Sequence, residues 1–294
     1  MSRYLNPYTD FGFKKLFGEE ANKDLLTDFL NQLLPPHHQI QYLQFKNPEN
    51  LPDLPLERKA IFDIYCQSVT GEDFIVEMQK AKLHFFKDRA LFYSTFPVRE
   101  QAKKGDWDFK LPPIYYIAIL DFKYDEHEEK QKLLREVALR DQEGHLFYDK
   151  LHFKFVQMPL FSKQAHELET HFDKWLYFLK NLDNFDHIPS MLNEPLFQKA
   201  FDTLEEANLT PEQLEQYQKS LLTYWELKGV VDTAREEGKE EGLKEGLQKG
   251  REEGREEGKL AGILQIAKNM KQQSLGVEMI QQVTGLTPDD IKEL

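Results

Sequence analysis

Residues 60–80, AIFDIYCQSVTGEDFIVEMQK, restrict what this chain can become more than any other stretch. Two runs rich in β-branched and aromatic residues, 60–67 and 73–79, flank a short Val69-Thr70-Gly71 connection, which is the pattern of a β-hairpin. A three-residue hairpin loop needs a left-handed residue at its end, and Gly71 supplies it. Centring the loop on Thr70 sets Asp63 opposite Glu77. Strand alternation then puts Ile61, Asp63, Tyr65 and Gln67 on one face, against Phe62, Ile64 and Cys66 on the other. On the second strand Ile75, Glu77 and Gln79 oppose Phe74, Val76 and Met78.

Two carboxylates facing each other in a half-buried sheet repel and are costly to desolvate, unless a cation or a shared proton compensates. Directly opposed side chains have Cβ atoms about 4.5–5.5 Å apart, close enough to hold one divalent cation between them. A hairpin at a sheet edge with this face wet is the other arrangement that tolerates the pair.

The 294 residues, 40% apolar and 13% aromatic, have a globular composition, long enough for one sizeable core plus an appended region. The formal net charge of −13 argues against a general polyanion binder, but says little where cations gather in one segment. Residues 80–104 are such a segment, with Lys80, Lys82, Lys87, Arg89, Arg99, Lys103 and Lys104 against Asp88 and Glu100. Leu83, Phe86, Ala90, Leu91, Tyr93 and Ser94 recur there near helical spacing, which predicts a helix with an inner apolar face. Its outer face would carry the cations and His84, with a kink or restart at Pro97. Such a face is either solvated surface or a nucleic-acid contact.

The single cysteine, Cys66, rules out an intrachain disulfide and a Cys-rich zinc site, and lies on an apolar strand face. The N-terminus has no apolar signal core and no run approaches the length of a membrane span, so a cytoplasmic protein without membrane contact is expected.

Along the chain, Asn6-Pro7-Tyr8-Thr9-Asp10 is a turn and cap before two helices that end at Pro35-Pro36, with Asp10 placed to cap the first. Residues 40–45 read as a first strand and 47–55 as a Pro-rich loop. Residues 113–122, PIYYIAILDF, form a nearly continuous apolar run, as in a central strand buried on both faces. The order helix, strand, hairpin, helix, strand makes a mixed sheet, to which residues 133–139 and 153–160 add edge strands. Residues 164–228 turn helical.

Gly238, Gly242, Gly246, Gly250, Gly254, Gly258 and Gly262 then recur every four residues in a bed of Glu, Lys and Arg. On a helix these glycines line a slowly rotating groove where a second helix can approach closely, which predicts a homo-oligomer; a flexible charged linker is the alternative. Residues 260–270, 277–283 and 288–294 read as three short helices joined at Gly276 and Gly285. The resulting domains are 1–162, 163–232, 233–262 and 263–294.

Over most of residues 1–162 the chain resembles the recombination-promoting nuclease family, transposase-like proteins of the PD-(D/E)XK nuclease superfamily. The matching residues are TDFGFKKLFG at 9–18, Phe62-Asp63, VEMQ at 76–79, Arg89 with Tyr93, Gln101 with Gly105, and PIYYIAILDF. The glycine repeat resembles tails found on many such proteins. The resemblance implies an α/β, restriction-endonuclease-like fold: a mixed central sheet flanked by helices, with a C-terminal helical extension. It also implies Mg²⁺- or Mn²⁺-dependent hydrolysis of DNA, of low sequence specificity and serving recombination.

In the superfamily an Asp and a Glu-x-Lys on adjacent strands form the site, often with an acid from the first helix. Asp63 and Glu77 match the first two, Asp10 is the candidate for the helical acid, and the carbonyl of Met78 would join Asp63 and Glu77 on the metal. Gln79 stands at the lysine position and Phe62 at that of the proline. Gln79 can orient a water but cannot offset charge, a task that would fall to Lys80 or Lys82. Lys80, Lys82, Lys87 and Arg89 would contact the DNA backbone. The missing lysine and acidic net charge keep open a catalytically silent DNA-binding or self-assembling protein derived from such a nuclease.

Overall fold

The computed structural model describes residues 2–46, 62–82, 85–101, 108–124 and 131–294. It divides into two units, Met1–Gly229 and Val230–Leu294.

The hairpin sets the register of the first unit. Strand β2, Ile64–Ser68, pairs antiparallel with β3, Asp73–Gln79, through Ile64↔Val76, Tyr65↔Ile75, Cys66↔Phe74 and Gln67↔Asp73. This is the pairing obtained by centring the loop on Thr70, and Gly71 takes a φ of 99°. The short β1, Leu43–Phe45, pairs with β2. Strand β4, Ile114–Leu120, runs parallel to β3, and β6, Leu146–Gln157, runs parallel to β4. Strand β5, Leu134–Arg140, closes the far edge, giving the order β1-β2-β3-β4-β6-β5. The expected central strand is therefore central. The second expected edge strand is not at the edge: β6 begins at Leu146 and lies between β4 and β5.

Both sheet faces are covered, so the hairpin is not an edge element with a wet face. Ile64, Cys66, Phe74, Val76, Ile117 and Val156 pack beneath helices α1 (Asp10–Phe17), α2 (Lys23–Asn31), α4 (His171–Asn181) and α5 (Pro195–Thr203). Tyr65, Ile75, Tyr116, Ala118 and Phe155 face helix α3, Phe86–Glu100, which runs through Pro97. Phe62 joins this second cluster, not that of Ile64, because the chain bends at Asp63 and breaks the alternation. Leu91, expected on the inner face of α3, is exposed. Leu83, His84, Lys103, Lys104 and the 47–55 loop lie outside the described residues.

The helices expected as a separate 163–232 region share one core with the sheet: Trp175, Phe178 and Phe197 pack with Phe17 and Phe29. Helix α6, Pro211–Gln272, begins in this unit, where its Tyr217 hydroxyl accepts from the Asn6 N–H at 3.0 Å and Ser220 Oγ accepts from the Phe11 N–H at 3.1 Å.

In the second unit the glycine repeat is helical, within α6. A Cβ added at any of its seven glycines would meet nothing within 4 Å. Helices α7, Val277–Thr284, and α8, Pro288–Glu293, follow, and Ala267, Ile280 and Ile291 form their small core. Gly285 ends α7 in the left-handed conformation, φ 73°, that a helix C-cap favours. No helix among the described residues is long and apolar enough to cross a membrane.

Candidate active site

The site forms where β2 begins and β3 ends. Asp63 lies one residue before the β2 ladder, and its Oδ2 accepts the main-chain N–H of Met78 at 2.8 Å. Within a strand the N–H and C=O of one residue point to the same side, so the Met78 carbonyl also looks towards Asp63. Burial raises the Asp63 carboxyl above its ordinary range, and the Met78 bond offsets part of that rise.

Glu77 is fully buried in the interior strand β3. Its Oε2 accepts from the Tyr116 hydroxyl at 2.7 Å and the Gln79 amide at 2.6 Å, and lies 3.5 Å from Nη2 of Arg89. Its Oε1 is buried and has no hydrogen-bond partner among the described residues. Burial first, and the charge of Asp63 second, push Glu77 up to about 7. A buried carboxylate oxygen without a donor is costly unless a cation meets it. Two coupled carboxylates and a nearby main-chain carbonyl offer hard oxygen donors, which suit Mg²⁺ or Mn²⁺.

Helix α1 brings Asp10 to the same region. Thr9, not Asp10, caps this helix: its Oγ1 accepts the Gly12 N–H at 3.0 Å and donates to the Asn6 carbonyl at 2.7 Å. A Cβ on Gly12 would stand 2.2 Å from the Asn6 oxygen, so the tight entry into α1 requires glycine there. Asp10 is exposed and pairs with Lys14 at 2.9 Å, and its charge is among those that raise Asp63. Burial depresses Lys80, which also feels the charges of Asp10 and Asp63.

Among the described residues the cation that reaches Glu77 is Arg89, expected on the outer face of α3 but half-buried and stacked 5.1 Å from the Tyr93 ring centre. The far end of α3 is fixed through buried Asp73, which accepts from Gln101 at 2.8 Å and from Lys46 at 2.9 Å. Lys82 and Lys87 are exposed, and Lys87 Nζ stands 5.2 Å from the Tyr124 ring centre. Tyr116 was not singled out from the sequence; its role depends on the parallel register that sets Ile75 beside it. Asp141, Glu143 and His145 also lie together, but on the exposed β5–β6 turn, where Asp141 Oδ1 accepts the Glu143 and His145 N–H groups and so closes the turn.

A family model described as PD-(D/E)XK nuclease family transposase matches residues 7–234. The chain belongs to that family. No curated protein and no solved structure matches it. Membership accounts for the mixed six-stranded sheet flanked by helices, which is consistent with the PD-(D/E)XK nuclease fold, and it supports a nuclease or transposase-like function. The family match includes the helices of 163–232, in line with the single core they share with the sheet.

Proposed function

We propose that the chain is a divalent-metal-dependent DNA endonuclease of low sequence specificity, acting in the cytoplasm in recombination or transposition-like processing. The observation that carries this reading is the buried Oε1 of Glu77, without a partner among the described residues, beside a second, half-buried acid, Asp63. Asp63, Glu77 and the Met78 carbonyl would hold Mg²⁺ or Mn²⁺, with Asp10 as the outlying acid from α1. When bound, such an ion activates water and offsets charge on the scissile phosphate.

The remaining parts prepare that site. Gln79 and Tyr116 occupy Oε2 of Glu77, which fixes the carboxylate and leaves Oε1 for the ion. The family's lysine has two tasks, orientation and charge; here Gln79 takes the first and Arg89, the cation nearest Glu77, takes the second. Lys80, Lys82 and Lys87 hold the DNA backbone, contacts that position a duplex or strand without reading its sequence. The glycine face of α6 joins a second copy.

The test is supercoiled plasmid incubated with purified protein in Mg²⁺ and in EDTA. Nicking in Mg²⁺ alone supports the reading. DNA binding without nicking under either condition would favour the catalytically silent form, consistent with the glutamine at the lysine position.

A further inference from the structure

One stripe of helix α3 carries an aromatic residue on either side of Arg89, the residue that contacts Glu77. Phe85, Arg89 and Phe92 follow one another at i, i+4 and i+7, so they share one stripe of the helix. Phe85 belongs to its first turn, where its carbonyl accepts the Arg89 N–H at 2.8 Å. Phe85 and Phe92 are 74% and 49% exposed, large values for phenylalanine. Phe92 is steadied from behind by Phe96, edge to face at 5.1 Å.

Between the rings, the Arg89 guanidinium has donors to spare. Its contact with Glu77 is long, 3.5 Å, on an oxygen that already accepts two shorter hydrogen bonds; the side chain is 35% exposed, while its buried Nε meets no acceptor among the described residues. Exposed Lys82 and Lys87 add positive charge on the same segment, opposed there by Asp88. A duplex keeps its bases stacked inward and would leave exposed rings against its sugar-phosphate surface. Unpaired nucleotides can stack bases on such rings while a cation holds the phosphate between them, an arrangement worth about 1–3 kcal/mol per stacked base.

We propose that Phe85, Arg89 and Phe92 form a strip that receives unpaired nucleotides, with Arg89 on the phosphate next to Glu77 and the two rings stacking the flanking bases. The preferred substrate is then single-stranded or locally unpaired DNA. This rests on the nuclease reading and names the substrate class of the same site.

The test is binding in EDTA, so that no cleavage intervenes, followed by fluorescence anisotropy. The probes are a labelled oligothymidylate of about twenty nucleotides and a duplex of the same length, with wild type, Phe92→Ser and Phe85→Ser. The strip predicts that wild type binds the single strand at least about tenfold more tightly, and that each serine variant loses about fivefold or more on the single strand with duplex binding unchanged. Equal or tighter duplex binding overturns the strip while leaving the nuclease reading standing, as does a serine variant that weakens both probes alike. A serine variant that changes only the oligomeric state, read by sedimentation, also overturns it in favour of a second copy on this face. Binding to neither probe would overturn the strip and the nuclease reading together.

Discussion

The main-chain N–H of Met78 donates to Oδ2 of Asp63 across 2.8 Å, tying the start of β2 to the end of β3 beyond their last ladder pair. That single bond holds Asp63 beside Glu77 although Asp63 itself is not in the sheet. It is charge-assisted, and it keeps the first acid in place while burial works against its ionisation.

The coupled acids should make stability depend on pH when no divalent ion is present. Burial and the charge of Asp63 raise Glu77 from 4.5 to about 7. A carboxyl raised in the folded state contributes stability that is fully present below its unfolded value and lost as pH rises through the folded one. The loss is on the order of 3 kcal/mol between those limits. Urea unfolding in EDTA should therefore show a less stable protein at about pH 8 than at about pH 4.5, with Glu77→Gln removing most of the difference. An unaltered difference in that variant would place the titrating group elsewhere.

Gly12→Ala should destabilise the first unit by about 1–3 kcal/mol, because its methyl group meets the Asn6 carbonyl at 2.2 Å and one of the two must shift. Thermal unfolding measures it. A neutral substitution would mean that the entry into α1 relaxes freely.

Gln79→Lys should retain or raise cleavage, since an ammonium can donate to the same Glu77 oxygen and adds charge where negative charge develops. Rates under matched Mg²⁺ decide it. Loss of activity in a folded variant would show that the amide does something a cation cannot.

How much of this was readable in the residues depends on the interaction concerned. The hairpin register was legible because the loop and Gly71 fix it locally, and the burial of Ile114–Leu120 because a two-faced strand is apolar throughout. The place of β6 was not, since strand order depends on long-range pairing and the first half of β6 is largely exposed. Phe62 changed faces because a bend at Asp63 interrupts the two-residue period. Arg89 borders the buried stripe of α3, and its long side chain can lie along either face; only the packing of α3 on the sheet turned it to Glu77. Tyr116 required the β3–β4 register, which no local pattern contains.

The glycine repeat is helical, so replacing Gly246, Gly250 and Gly254 by Ala should raise helix content, each by up to about 1 kcal/mol of propensity. If a second copy packs on that face, the same three methyl groups should weaken self-association. Circular dichroism and ultracentrifugation of the full chain separate the effects. More helix with an unchanged oligomeric state would exclude the close-packed seam.

The most direct measurement of the central claim is the Mg²⁺-dependent nicking rate of wild type beside Asp63→Asn and Glu77→Gln, each first shown to be folded. Both variants remove a proposed ligand charge while relieving the repulsion between the acids. The account predicts a fall of more than about a hundredfold in each, as groups that merely support a metal ligand are already worth 10–100-fold. Wild-type nicking in either folded variant would contradict it.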